Sequence, residues 1–344
     1  MIYAYQLIRM KKTKKTSMIN SLIYGAGAIG SFMGYLLSDG SPGKSPPAGE
    51  MIIENVGLLG REGHIKKIRE SGLEIGFPEG NRECAHFRHC FSSLEQLAAS
   101  DFYPEMVIVC VKTYSLPALC RELAASGLLE GRLRDAVFLL LMNGMGNKEA
   151  LAPLHLPASR LLEGIAVMGV KFSAEGRIEL KGRGKIVIEA RLDGGMQRYL
   201  GERLAEKGFE AEFARDYAVQ QWNKLFANAV INPITALTRQ KNGIVLSEEM
   251  QETVRCIIKE AVSVAGREGI SADEEDVIGL VNSVAEKTAA NTSSMLQDRL
   301  KGRMTEIDSI NGYIVRLAKK HNLDSPVNEA LAALVRSTAS GEHK

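Results

Sequence analysis

Lys224, Asn228 and Asn232 recur at intervals of four in the stretch "WNKLFANAVINP", Trp222 to Pro233. On a helix they line one face in three successive turns. Their neighbours Leu225, Phe226, Ala227, Ala229, Val230 and Ile231 are core-type residues. One ammonium group and two carboxamides in a row suit the reduction of a carbonyl. A partly desolvated lysine has a lowered pKa and can hand a proton to a developing alkoxide near neutral pH, while amides hold polar groups of a substrate. Histidine is the commoner donor, but the second half of the chain offers only His321 and His343. The same row also reads as a solvated stripe on an amphipathic helix, because lysine and asparagine are mostly exposed.

Carbonyl reduction also needs a hydride source, and the first half offers a place for one. Ile19 to Tyr24 is a strand-like run that leads into "GAGAIG" and then a helical segment to about Leu37. This is G-x-G-x-x-G after a strand and opening a helix, the setting of a dinucleotide turn. Gly25 permits the tight turn, Gly27 lets the backbone approach a pyrophosphate, and Gly30 lets helix and strand pack closely. The intervening Ala26, Ala28 and Ile29 belong to the same turn, and the helix start offers free N–H groups to phosphate. The second strand, "IENVGLLGR", ends at Arg61. An acidic residue there suits the ribose 2′-hydroxyl of NAD, whereas an arginine suits the 2′-phosphate of NADP.

Two further apolar runs end in polar residues: "MVIVCVK" at Lys112 and "VFLLLMNGMG" at Asn143. Nearly continuous apolar runs fit buried parallel strands, and ligands sit outside the carboxyl ends of such strands. Asn143 reads equally as an ordinary N-G turn residue. "GVKFSAEGRIELKGRGKIVIEA" reads as strands joined by glycine turns that close this domain. The cluster "CAHFRHC" holds Cys84, His86, His89 and Cys90, all metal-ligand types. In a strand His89 faces away from the other three, and zinc sites use separated ligand pairs on turns, so we read an ordinary strand and expect no metal.

The chain has 344 residues, more than one ordinary core holds, so two domains are expected. A net charge of +2 lacks the basic excess of a dedicated nucleic-acid binder. No apolar run approaches the roughly 20 residues that span a bilayer. The five cysteines are scattered, which fits reduced thiols in a cytoplasm. In "MIYAYQLIRMKKTKKTSM" the apolar residues precede the basic ones, the reverse of a secretory signal. We therefore read residues 1–17 as a flexible extension, with Met18 as a second candidate start. "SDGSPGKSPPAGE", residues 38–50, is rich in Gly, Pro and Ser and long for its place, so it reads as an inserted loop.

From about Arg215 the pattern turns helical. Met250, Val254, Ile257, Ile258, Ala261 and Val264 recur at helical spacing after Ser247, a candidate cap. Ser271 and Glu274 form a capping-box pattern before a helix from Ala272 to about Ala290. "TEIDSINGYIVRLAKKH" reads as one further helix. The expected organisation is thus an α/β dinucleotide-binding domain over residues 18–214 and a helical substrate domain over 215–344.

Taken together, the motifs resemble ketopantoate reductase (2-dehydropantoate 2-reductase). The resemblance runs from Met18 to about Arg336. It is carried in order by "GAGAIG", the "VK" at Lys112, "NGMG", "WNKLFANAVINPITAL", the "NG" at Asn242, "SSMLQD" and "TEIDSING". It implies a Rossmann-type domain followed by an all-α domain like the C-terminal part of 6-phosphogluconate dehydrogenase. It also implies reduction of 2-dehydropantoate to (R)-pantoate by NADPH, on the route to pantothenate and coenzyme A. By the same resemblance Lys224 is the proton donor, and Asn228, Asn232, Asn242 and Ser294 bind substrate. Glu306 meets both substrate hydroxyl and cofactor, and Asn143 touches cofactor and substrate. Arg61 and Lys112 serve the cofactor, and backbone near Val170 reaches its nicotinamide side. A monomer or homodimer with a small-molecule substrate is expected. Two other readings fit the residues: a related dehydrogenase of another 2-oxo or hydroxy acid, and a non-catalytic NADP-binding sensor.

Overall fold

The computed structural model describes residues 18–38 and 52–339. The N-terminal extension and all but the first residue of the inserted loop lie outside the described residues. In chain order the elements are β1 (Ser21–Tyr24), α1 (Ala28–Leu37), β2 (Ile52–Leu59), α2 (Glu62–Ser71), β3 (Leu73–Gly76), β4 (Arg82–Phe91), α3 (Leu94–Ala98) and β5 (Met106–Val109). There follow α4 (Leu116–Ala125), β6 (Val137–Leu141), α5 (Asn147–Ala150), β7 (Leu161–Ala166), β8 (Gly169–Ala174), β9 (Arg177–Gly182), β10 (Lys185–Glu189), α6 (Gly194–Glu206) and β11 (Glu210–Ala214). The rest is helical: α7 (Tyr217–Thr238), α8 (Gln251–Arg267), α9 (Glu274–Lys287), α10 (Ser294–Leu300), α11 (Asn311–Lys320) and α12 (Pro326–Ala339).

The chain forms two compact units. Unit 1 takes the described residues up to Cys110, then Ser126–Leu139 and Ala166–Phe213; unit 2 takes Val111–Ala125, Leu140–Ile165 and everything from Ala214 onward. The first half is therefore not one uninterrupted domain. Its two short excursions bring Lys112 and Asn143 into unit 2, where both bond to Glu306.

In unit 1 the strands run in the order β5-β1-β2-β4-β3-β9-β8. β1 lies parallel to both β2 and β5, with Leu22 opposite Gly57 and Val107. β2 and β4 are also parallel, while β3 with β4 and β8 with β9 are antiparallel. All four residues of β1 and of β5 are buried, which suits the mainly apolar sequence of β1 and the wholly apolar one of β5. Strand order reverses at β1, so the crevice beyond its carboxyl end is the place for a ligand. The "CAHFRHC" segment is strand β4, as its alternation suggests, with Cys84 exposed and Cys90 buried.

Unit 2 has its own core, built around α7 with Trp222, Phe226, Val230 and Ile234 and closed by residues of α8 to α12 such as Ile258, Val281, Ile314 and Val335. Pro233 lies inside α7 and cannot donate to the Ala229 carbonyl one turn back. Asn311 Nδ2 fills that bond from α11 at 2.9 Å, and a second bond of 2.9 Å ties it to Asn328. Asn328 in turn donates to Glu260 at 2.7 Å. The Asn of "TEIDSING" and the Pro of "NPITAL" thus answer one another.

Two local expectations are corrected. The cap of α9 is Asp273, whose Oδ1 accepts from Glu275 N and Asp276 N, rather than Ser271. "TEIDSINGYIVRLAKKH" is not one helix: Ile307–Ser309 form a single 3₁₀ turn, and Ile310 (φ −111°, ψ −97°) breaks the chain before α11 begins. The break leaves Glu306 at the entrance to the 3₁₀ turn instead of on a helix face. Among the described residues, no helix is long and apolar enough to cross a membrane.

Candidate active site

In unit 1 the glycine turn is a backbone construction. Gly25 takes φ +104°, a region costly for any residue with a Cβ. Gly25 N and Ala26 N both donate to the Leu59 carbonyl at 2.9 Å, pinning the turn to the end of β2. A Cβ on Gly30 would fall 2.1 Å from the Gly25 carbonyl oxygen, so only glycine permits this helix–turn approach. A Cβ on Gly27 would meet nothing within 4 Å, so the backbone at the start of α1 faces open space. Ala28 and Ile29 form the first turn of α1. A dinucleotide pyrophosphate fits this arrangement: open backbone, helix N-terminus and no side chain in the way.

Arg61 stands exposed at the N-cap of α2, its guanidinium 5.5 Å from the centre of the Phe172 ring. Behind it His64 is 1% exposed. Gly176 N donates to His64 Nδ1 at 2.9 Å, which leaves Nε2 to donate to Ser31 Oγ at 2.9 Å. Burial first, and the Arg61 charge second, push the His64 pKa down to about 4, so the imidazole is neutral. One residue thereby links α2, α1 and the β8–β9 turn. Val170, the position expected to offer backbone to a nicotinamide, is half-buried in β8 opposite Leu180.

Unit 2 gathers charge. Lys112 Nζ lies 2.7 Å from Asp298 Oδ2 and 3.0 Å from Glu306 Oε2. Both carboxylates are buried, with side chains 10% and 6% exposed. Glu306 also accepts from Thr113 N at 3.3 Å and from Asn143 Nδ2 at 3.4 Å. Burial by itself would lower the Lys112 pKa; Glu306 and then Asp298 outweigh it and hold it above the usual lysine value. Lys224 has the opposite balance. Burial lowers its pKa to about 8, opposed only in part by the charge of Glu306. A lysine poised there can both hold and release a proton near neutrality.

The "NGMG" glycines serve the same neighbourhood. Gly144 (φ +72°) leaves no room for a Cβ against Ser309, and Met145 N donates to the Ser309 carbonyl at 2.9 Å. The turn carrying Asn143 is thus locked onto the segment carrying Glu306. Beside it lies a narrow pocket lined by Lys224, Asn228, Gly144, Asn147, Glu163 and Gln221, among others.

Of the residues singled out from sequence, Lys112, Asn143 and Glu306 are bonded together, and Lys224 feels the Glu306 charge. Lys224 and Asn228 share the pocket wall. Asn232 follows one turn on and is 5% exposed. Asn242 is also buried; its Nδ2 donates to Thr288 Oγ1 at 3.0 Å, while its Oδ1 has no partner among the described residues. Ser294 is exposed on the first turn of α10, and the cap of that helix is its neighbour Ser293, whose Oγ accepts from Leu296 N. Sequence reasoning noted Asp298 only as the end of "SSMLQD", without a partner, and missed Thr113, Glu163 and Gln221 as neighbours of the site. A signal existed for Asp298: it follows Met295 by three, so an acid shares the buried face of α10.

The chain is similar to known proteins along nearly its whole length. Residues 21–192 match the family described as Ketopantoate reductase PanE/ApbA, and residues 216–339 match its C-terminal domain. A 2-dehydropantoate 2-reductase of Pyrococcus horikoshii is 32% identical over 321 residues, 92% of this chain and 97% of that one. The Archaeoglobus fulgidus protein of the same name is 33% identical over 93% of this chain and 97% of its own length. Among solved structures, a PanE/ApbA family ketopantoate reductase from Ralstonia eutropha superposes with a TM-score of 0.77 at 25% identity, covering 94% of this chain and 99% of that one. D-mandelate dehydrogenase with NADH and anilino(oxo)acetate shares the fold, with a TM-score of 0.78 at 24% identity over 93% of this chain and 98% of the other.

Proposed function

Because the chain belongs to the ketopantoate reductase family, an oxidoreductase family, we propose that it reduces 2-dehydropantoate to (R)-pantoate, with NADPH as cofactor and Lys224 as proton donor. The observation that carries this reading is Lys224: a half-buried ammonium in a pocket wall, lowered to about pKa 8 and facing the charge of Glu306.

The cofactor supplies the hydride when bound; the remaining work falls to side chains of this chain. In this reading the Gly25–Gly30 turn holds the pyrophosphate, Arg61 meets a 2′-phosphate, and Val170 offers backbone to the nicotinamide side. Lys224 polarises the ketone oxygen with its charge and then gives it a proton. Asn228, Asn232, Asn242 and Ser294 hold the carboxylate and polar groups of the substrate. Glu306 accepts from the substrate hydroxyl, while Asn143 Nδ2 and Thr113 N steady its carboxylate. The chain acts as a monomer or homodimer on a small molecule, in the cytoplasm, within the synthesis of pantothenate and coenzyme A.

Loss of the reduced-nicotinamide absorbance on mixing purified protein, 2-dehydropantoate and either NADPH or NADH tests the reading. Fast oxidation that prefers NADPH is expected. A faster reaction with NADH keeps the reductase and removes the 2′-phosphate role of Arg61. No oxidation with either cofactor, from protein that binds NADPH, overturns the substrate, and a panel of other 2-oxo acids then finds the replacement.

A further inference from the structure

Lys112 was expected to serve the cofactor, yet a lysine that only meets phosphate has no need of carboxylates. Its ammonium is wedged between two, Asp298 on α10 and Glu306 before the 3₁₀ turn, at 2.7 and 3.0 Å. Both acids are nearly closed off from water, so each charge must be met inside the protein. Glu306 is also the acid whose charge reaches Lys224. Asp298 and Lys224 are thus linked through one shared ammonium.

We propose that Asp298 is a positioning residue: it shares the Lys112 ammonium with Glu306, leaves the Glu306 charge only partly cancelled, and so sets how much of that charge acts on Lys224. The proposal rests on the reading of Lys224 as proton donor and adds a residue that controls it from one contact away. Asp298, Glu306 and Lys112 sum to a single negative charge. Neutralising Asp298 leaves Lys112 cancelling Glu306 alone, and the pull that keeps Lys224 protonated weakens. Removing Lys112 instead leaves two uncompensated acids, and that pull strengthens. The two changes act on Lys224 with opposite signs, which loss of packing cannot mimic.

The other ionisable groups nearby are few. Tyr114 follows Lys112 and lies in the field of the same cluster and of Arg303. Arg299 of α10 is turned to the Ala236 carbonyl at 2.7 Å. Tyr217 and Glu163 line the same pocket as Lys224, and Glu163 is paired with Lys148 at 3.6 Å.

The test needs neither substrate nor cofactor. The intact protein is labelled with trace acetic anhydride across a pH series, and mass spectrometry reads the titration of Lys112 and Lys224 separately. Asp298→Asn is expected to move the Lys224 midpoint down by roughly 0.5 on the pH scale, and Lys112→Met to move it up. Asp298→Glu should restore the wild-type midpoint. An unchanged Lys224 midpoint in Asp298→Asn overturns the proposal, as does a shift confined to Lys112. If Asp298→Asn does not fold, the upward shift in Lys112→Met decides, and its absence is equally fatal. Failure of the enzyme to turn over 2-dehydropantoate would show in the kinetic assay alone and leave the labelling result intact.

Discussion

The two units present functional residues of different kinds. In unit 1 the Gly25–Gly30 turn uses six consecutive residues, no charged group, and the bare backbone at the start of a helix. In unit 2 the cluster around Glu306 uses side chains from separate segments, with Lys112 and Glu306 194 positions apart. A backbone site is defended by sterics: it fails when a Cβ is added. A charge cluster is defended by balance: it fails when one partner is removed and another is left buried alone. The contrast predicts different kinds of damage in each unit.

The largest expected effect is at Lys224. Lys224→Ala should lower turnover by about a thousandfold while NADPH still binds, the usual scale for losing a general acid together with its charge. In the wild type, turnover should fall as pH rises past about 8, because the donor must carry its proton. Stability should move the other way. The folded pKa lies below the unfolded value of 10.5, so the buried ammonium penalises the folded state at neutral pH. Lys224→Met should therefore gain about 2 kcal/mol in urea unfolding at pH 7, after a discount for partial exposure. Unchanged turnover in Lys224→Ala would remove the residue from the chemistry.

A smaller effect, on stability alone, is expected at Asn311. Asn311→Ala strips the bond from the Ala229 carbonyl beside Pro233 and leaves Asn328 with one partner fewer. Both groups are buried, so a loss of about 3 kcal/mol in chemical denaturation is expected. A loss under about 1 kcal/mol would mean that the carbonyl finds another donor.

These residues also mark where sequence was readable. The glycine turn was legible because everything it needs lies within six positions, and Gly25 and Gly30 each answer a steric demand. Helix α7 and its polar row were legible because a four-residue period is local. The cap at Asp273 was missed because Ser271 offered an equally good local pattern, and only the backbone at 272–274 decides between them. The break at Ile310 was invisible because "TEIDSING" has no proline at the break, and the close approach of Ser309 to Gly144 beside it is a long-range contact. Asp298 as a partner of Lys112 lay beyond any local rule, since a contact across 186 positions leaves no periodic trace.

His64 offers an intermediate test within unit 1, since it is a buried titrating group that links α2, α1 and the β8–β9 turn. Its pKa is 6.5 in the unfolded chain and about 4 when folded. Between those values the unfolded chain takes up a proton that the folded one refuses, so stability falls as pH drops through that window. The loss approaches about 3 kcal/mol below pH 4. His64→Gln should flatten that pH dependence in unfolding experiments at pH 7 and pH 5, at some cost in stability at pH 7. If wild type and variant lose stability in parallel, the imidazole is not the group responsible.

Arg61 should give the smallest effect and separates the two kinds of construction most sharply. It is an exposed cation, steadied by the Phe172 face rather than by a buried acid. Its removal leaves no orphaned charge behind, so Arg61→Ala should cost little stability. What it should cost is one charge-assisted contact to a 2′-phosphate, about tenfold in the KM for NADPH. The KM for NADH, which lacks that phosphate, should stay where it was. The alkaline fall in turnover near pH 8 should also stay, because it belongs to Lys224. Equal losses with both cofactors would mean that Arg61 shapes the turn rather than reading the phosphate, and the distinction between a steric site in unit 1 and a charge-balanced site in unit 2 would then hold without exception.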